Sequence, residues 1–298
     1  MKIIVTGANG QVGWELSRSL SVLGHVISLT REGADLTRPD TLARVIDEIR
    51  PDAVVNAAAY TAVDAAEVDA ATANMVNAEA VGVLAEATRR VGGVFVHYST
   101  DYVFDGTKAT PYVESDPTCP MNVYGASKLG GELAVAHAGG DWLTFRTTWV
   151  FASRGKNFLR TMLRLAKERQ EIKVVADQYG APTWARSIAD GTAHALATAI
   201  RERKAGTFES GIYHMTSADQ TSWHGFAEAA IASWRAASGA ASLAVEQITP
   251  IPASAYPLPA KRPVNSVLSN AALKDRFGIE LPDWRTAVDL CVKDLLSQ

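Results

Sequence analysis

The chain opens Met1-Lys2-Ile3-Ile4-Val5-Thr6-Gly7-Ala8-Asn9-Gly10-Gln11-Val12-Gly13, and this stretch decides the fold. Lys2–Val5 is a short apolar run rich in β-branched residues, the signature of a strand. Glycines at 7, 10 and 13 follow at once. Beyond them Val12, Leu16, Leu20 and Leu23 recur on one side of a helix. A glycine turn between strand and helix lets backbone lie close to a pyrophosphate and aims a helix N-terminus at negative charge. The spacing is G-x-x-G-x-x-G rather than G-x-G-x-x-G, but the physical need is the same. Gly7, Gly10 and Gly13 are therefore expected at a dinucleotide.

Reading outward, strands and helices alternate. Strands are expected at His25–Leu29, Ala53–Asn56, Val94–Ser99 and Trp142–Thr147. A helix carrying Leu42, Val45, Ile46 and Ile49 on one face starts near Pro39. One long Ala-rich helix is expected from Val63 to Val91. Further helices are expected over Phe158–Lys167, Trp184–Ile200, Ser222–Ala237 and Trp284–Leu296, with a small-residue connection at 236–242. Ile212–Met215 reads as a late strand that rejoins the sheet. The prolines at 250, 252, 257, 259 and 263 predict a loop without regular structure. The alternation gives an α/β fold with a mostly parallel, doubly wound sheet. Residues 1–149 are expected to form the dinucleotide-binding domain, joined by the strand near 211–216, and 150–298 a smaller substrate-binding domain.

The chain has 298 residues, 47% hydrophobic and 20% charged, with a net charge of −3. That length supports a sizeable core. The near-neutral balance argues against a nucleic-acid or membrane-surface partner. There is no apolar run of about 18 residues, and no basic segment leads into an apolar signal. The two cysteines, Cys119 and Cys291, make neither a disulfide framework nor a metal cluster. The six histidines contain no H-x-x-x-H pair. A reducing, cytoplasmic setting is expected.

Three places carry chemistry. Tyr124-Gly125-Ala126-Ser127-Lys128 puts a phenol and an ammonium on one helical face. The positive charge is expected to lower the tyrosine pKa and ready it for proton transfer. Ser99-Thr100-Asp101 ends a central strand at its carboxyl end, where ligands bind in open α/β sheets. Arg31 follows the second strand where an acid would hold ribose hydroxyls, which leans towards NADPH through a 2′-phosphate. Small residues at 57–59 leave room for a ligand against backbone. His97 lies within a strand and is read as a core residue.

These residues together resemble the extended short-chain dehydrogenases/reductases over nearly the whole chain. The resemblance rests on TGANGQVG at 6–13, NAAAYTAVDAAE at 56–67, STDYVFDG at 99–106, YGASK at 124–128, RTTWVF at 146–151, DQYGAPT at 177–183 and KRP at 261–263. It implies a Rossmann-like sheet and a catalytic triad of Thr100, Tyr124 and Lys128. By the same resemblance Gly10, Gln11 and Val12 would meet the pyrophosphate, and Asp35 and Leu36 would flank the adenine. Ala58, Ala59, Tyr60 and Thr61 would line the way to the nicotinamide, and Thr100, Asp101 and Trp149 would touch the sugar. The implied reaction is reduction of the C4 ketone of a nucleotide-linked 4-keto-6-deoxy sugar, dTDP-4-dehydro-L-rhamnose, by NADPH or NADH, with Tyr124 as proton donor. A homodimer is also implied. Some relatives bridge the dimer through magnesium on acidic side chains. Glu15 has that character, but Arg186 stands where a second acid is needed, so no metal is expected.

Two alternatives stand beside this. A sugar-nucleotide dehydratase would suit an Asp-Glu pair after the threonine, and here Tyr102 follows Asp101; an epimerase of the same fold would retain its cofactor. A non-catalytic, reductase-like subunit of methionine adenosyltransferase would have no need of the intact Thr100, Tyr124 and Lys128.

Overall fold

The structure is a computed structural model and describes residues 1–238 and 243–297. The amino-terminal half runs β1 (Lys2–Thr6), α1 (Gln11–Ser19), β2 (His25–Leu29), α2 (Pro39–Ile49), β3 (Ala53–Asn56), α3 (Val63–Ala66), α4 (Ala70–Asn74), α5 (Ala80–Arg90), β4 (Val94–Thr100), α6 (Val123–Ala138) and β5 (Asp141–Thr147). The rest runs β6 (Val150–Phe151), α7 (Phe158–Glu168), β7 (Glu171–Val175), β8 (Tyr179–Gly180), β9 (Thr183–Trp184), α8 (Ala185–Ala205), β10 (Gly211–His214), β11 (Thr221–Ser222), α9 (Trp223–Ser238), β12 (Gln247–Ile251), α10 (Ala271–Phe277) and α11 (Trp284–Leu296).

Six parallel strands form the main sheet in the order β10-β5-β4-β3-β1-β2. The chain leaves β1 for the edge at β2, then returns to β3 on the other side of β1. That reversal opens a crevice beyond the carboxyl ends of β1 and β3, where doubly wound sheets bind ligands. Both faces are covered, so the strands are apolar throughout rather than alternating. Ile3 and Val5 pack with Leu16 of α1 and Leu196 of α8 on one face. Ile4 packs with Leu42 and Ile46 of α2 and Leu84 of α5 on the other. The late strand lies at 211–214 and pairs with β5 at the sheet edge.

Away from this sheet, Phe151, Leu159, Trp184, Phe226 and Trp284 form a separate core, and Ile172, Val174 and Ile231 a smaller one. Two expectations fail in instructive ways. The helix over 63–91 is broken. Asp69 caps a new start by accepting from the Thr72 N–H, and Met75–Glu79 widens into a π-helical turn. That turn packs so close to α6 that a Cβ on Gly131 would lie 2.2 Å from the Asn77 carbonyl oxygen. The proline-rich segment also contains regular structure. Pro250 sits in β12, paired in parallel with β7 in a two-stranded ladder, where a missing N–H on an open edge costs nothing. Of the connection expected at 236–242, residues 239–242 lie outside the described residues.

Candidate active site

The groove beyond β1 and β3 has a volume of about 600 Å³. Gly7 makes its turn at φ 67°, a conformation glycine adopts at no steric cost. A Cβ there would lie 2.8 Å from the Ala58 backbone. Helix α1 begins after Gly10 with no side-chain cap. Its first N–H groups are thus left for a ligand, and the helix dipole favours an anion. Gly7, Gly10, Gln11, Val12, Arg31, Asp35, Leu36, Ala58, Ala59, Tyr60, Thr61, Tyr124 and Lys128 all line the groove. Gly13 does not. It lies beneath the turn, where a Cβ would come 2.1 Å from the Gly7 carbonyl oxygen, so it serves helix–strand packing.

At one end of the groove Arg31 pairs with Asp35 at 3.4 Å. Hydrogen bonds from the Thr37 hydroxyl and N–H, with help from Arg31, hold the Asp35 carboxyl below its usual range. The groove also has a wall that the sequence reading missed, formed by Arg154, Gly155 and Lys156. The Arg154 guanidinium lies 3.4 Å from the Trp14 ring centroid, and Asn157 donates to Gln11 Oε1 at 2.8 Å. Two cations flanking a glycine just before an asparagine N-cap was a readable signal.

The start of α6 is fixed from three sides. Asn122 accepts from the Gly125 N–H at 2.7 Å and donates to the Lys261 carbonyl at 2.8 Å. Glu67 accepts from the Val123 N–H at 2.9 Å. Arg262 holds Asp64 through two bonds of 3.0 and 2.8 Å, so the 261–263 segment closes over this end. Asn77, in the π-turn, bonds both the N–H and the carbonyl of Tyr60 and so shapes the 58–61 wall.

Tyr124 therefore faces the groove, with its ring edge-on to Tyr102 at 5.7 Å. Burial and the Asp101 carboxylate push its phenol up to about 12, while the Thr100 hydroxyl pulls the other way. The expected lowering by Lys128 is not what the structure shows. Lys128 is itself driven down to about 8 by burial, and its amine lies 3.2 Å from His97 Nε2. His97 is thus a buried partner of a groove residue as well as a core residue. Thr100 donates to Asp101 Oδ1 at 2.9 Å, and both residues are buried. Burial raises the Asp101 carboxyl to about 6, against hydroxyls of Ser266, Thr100 and Thr148 that favour its charge.

Trp149 lies after β5 at φ 46°, a strained conformation for a bulky residue. Its indole stacks on Trp223 at 3.6 Å, and a Cβ on Gly180 would come 2.6 Å from its Cε2. Trp149 is thus wedged between Trp223 and the β8 backbone, packed against the Phe151 core; it does not line the groove, although its neighbour Val150 does. The acidic residues do not fit a bridging metal. Arg186 reaches Glu15 at 3.1 Å and Asp294 at 3.6 Å, so a guanidinium already stands against the carboxylates a cation would need. Among the described residues no three His, Cys, Asp or Glu side chains are grouped to hold one.

A tyrosine poised over such a groove, with a threonine beside it and a lysine one turn on, defines an oxidoreductase of the extended short-chain dehydrogenase/reductase class. The family model described as the RmlD substrate binding domain matches residues 1–297. The chain is 78% identical over 298 residues to the dTDP-4-dehydrorhamnose reductase of Burkholderia thailandensis, covering 100% of both. It is similar to the crystal structure of such a reductase from Clostridium acetobutylicum (TM-score 0.89, 35% identity, 100% of each chain). It is also similar to one from Bacillus anthracis in complex with NADP (TM-score 0.85, 32% identity, 98% of this chain and 99% of that one). The chain belongs to the dTDP-4-dehydrorhamnose reductase family.

Proposed function

We propose that this chain reduces the C4 ketone of dTDP-4-dehydro-L-rhamnose to give dTDP-L-rhamnose, with Tyr124 as the proton donor. The observation that carries the reading is that Thr100 and Asp101, at the carboxyl end of β4, lie beside Tyr124, which lines the groove from the start of α6. NADPH supplies hydride when bound. The groove suits it: the uncapped helix N–H groups and Lys156 would hold its phosphates, and Arg31, which lines the same groove, would meet a 2′-phosphate.

Tyr124 orients the ketone oxygen by a hydrogen bond, and Thr100 does so by turning its hydroxyl from Asp101 Oδ1 to the ketone. Tyr124 gives its proton to that oxygen as negative charge develops there. A phenol raised to about 12 keeps its proton at neutral pH and is still a stronger acid than the secondary alcohol it forms. Lys128 lines the same wall and holds the ribose. Asp101 and Trp149 are assigned to the sugar, and the substrate-binding part of the chain, residues 150–298, begins just after Trp149, against the dinucleotide-binding part, 1–149, which the strand at 211–214 joins.

The two cysteines are unbridged, which suits a reducing cytoplasm. No helix among the described residues is long and apolar enough to cross a membrane. A homodimer remains part of the reading, to be measured by sedimentation. The test is direct: protein with NADPH and dTDP-4-dehydro-L-rhamnose should consume both in equal amounts and yield dTDP-L-rhamnose. An epimerised 4-keto product without net NADPH oxidation would overturn it.

A further inference from the structure

The loop over residues 152–157 leaves β6 and folds back onto the start of α1. Asn157 organises it. Its Nδ2 donates to Gln11 Oε1 at 2.8 Å and to the Ala152 carbonyl at 2.9 Å. Its Oδ1 accepts from the Arg160 N–H at 3.0 Å and so caps α7. The Arg160 side chain donates to the Ser153 carbonyl at 3.0 Å, and Ser153 Oγ donates to Asp294 of α11 at 2.6 Å. Gly155 turns at φ 72°, with Gln11 Cγ only 3.2 Å from where a Cβ would stand. The loop is thus tied to α1, α7 and α11, and its position is set.

It brings two cations to the groove. Arg154 and Lys156 line the groove together with Gln11, the first residue of α1. Among the described residues neither side chain has a hydrogen bond or an ion pair. Arg154 has a ring instead. Its guanidinium lies 3.4 Å over the Trp14 indole, which Arg18 also approaches at 5.3 Å. A ring holds a guanidinium in place and takes none of its five N–H donors. Packing alone would account for the Trp14 contact. It would not account for the bond that latches the loop to Gln11, nor for a second cation in the same wall.

We propose that Arg154 binds the pyrophosphate of the dinucleotide, with Trp14 as its positioning residue. The inference rests on the reading of this groove as the NADPH site. A pyrophosphate carries two negative charges, and a helix N-terminus supplies roughly half a charge. A planar fork of donors matches phosphate oxygens better than a point charge does. The chain beyond β6 therefore completes a site that the glycine turn only begins. NADPH and NADH share the pyrophosphate, so Arg154 serves both, whereas Arg31 serves the 2′-phosphate alone.

Calorimetric titration of the full-length protein tests this without turnover, using NADPH, NADH and adenosine 2′-monophosphate, which has no pyrophosphate. Arg154→Met keeps an unbranched stem over the indole and removes the charge and the donors. It should weaken NADPH and NADH by the same factor, about ten- to a hundredfold, and leave the monophosphate unchanged. Unchanged dinucleotide affinity would assign Arg154 to packing and overturn the proposal, and so would a loss confined to NADPH. Arg154→Lys keeps the charge without the fork and should fall between; it decides the matter if Arg154→Met does not fold. Trp14→Leu should weaken both dinucleotides, but not further in the Arg154→Met background; additive losses would remove Trp14 from the account. A chain that binds both cofactors through Arg154 yet leaves the sugar ketone unreduced would refute the reductase reading alone. One that reduces it while Arg154→Met binds as tightly as wild type would refute this inference alone.

Discussion

Tyr124 and Lys128 stand one helical turn apart on α6, yet the lysine amine finds its hydrogen-bond partner in His97, 3.2 Å away on β4. The lysine of the pair is thus partnered from behind, across the sheet.

The cofactor preference turns on Arg31. Its guanidinium is mostly exposed and, among the described residues, held by Asp35 and Thr37 alone, so it can meet a 2′-phosphate. Arg31→Ala should weaken NADPH binding about ten- to a hundredfold, the worth of a charge-assisted contact of roughly 1.5–3 kcal/mol. NADH binding should hardly change. Titration of both cofactors by fluorescence checks this, and equal losses would refute the assignment.

The sugar site turns on Trp149. Because the indole also stacks on Trp223, truncation would disturb packing, and Trp149→Phe is the cleaner change. KM for the sugar nucleotide should rise, while cofactor affinity stays within about twofold. An unchanged KM would assign this indole to packing alone.

The fully buried His214 gives a stability prediction with a definite sign. Burial and Arg146 lower its pKa from 6.5 to about 3. Between those values the unfolded chain binds a proton that the folded chain refuses. Stability therefore falls as pH drops from 6.5 towards 3, by about 1.4 kcal/mol per pH unit for this group. His97 acts in the same direction, and Asp101, raised from 3.8 to about 6, acts in the opposite one. Denaturant melts of wild type and His214→Leu across this window should show the variant losing less stability on acidification. Parallel curves would contradict the assignment.

Much of this was legible because local pattern and fold agreed. Lys2–Thr6 and its glycines announced the switch point. Tyr-x-x-x-Lys needed only helical spacing to put both groups in one wall. What the sequence hid were relations across elements. Nothing near Lys128 in the chain names His97, because β4 brings them together; nor does the sequence show that Asn56 lies 3.2 Å from the same imidazole. The break of the 63–91 helix was hidden because alanines suit a helix everywhere, whereas the π-turn follows from close packing on Gly131. Arg186 alone among the metal-related residues was readable as a misfit, and the structure gives it Glu15 as a partner.

The central claim is that Tyr124 donates the proton, and single-turnover reduction by Tyr124→Phe tests it most directly. The change removes one oxygen and keeps the ring against Tyr102. With NADPH and dTDP-4-dehydro-L-rhamnose, followed at the reduced-nicotinamide absorbance, the rate should fall by about two to four orders of magnitude while NADPH still binds. Ketone reduction within a fewfold of wild type would show that the proton comes from another group and would contradict the account.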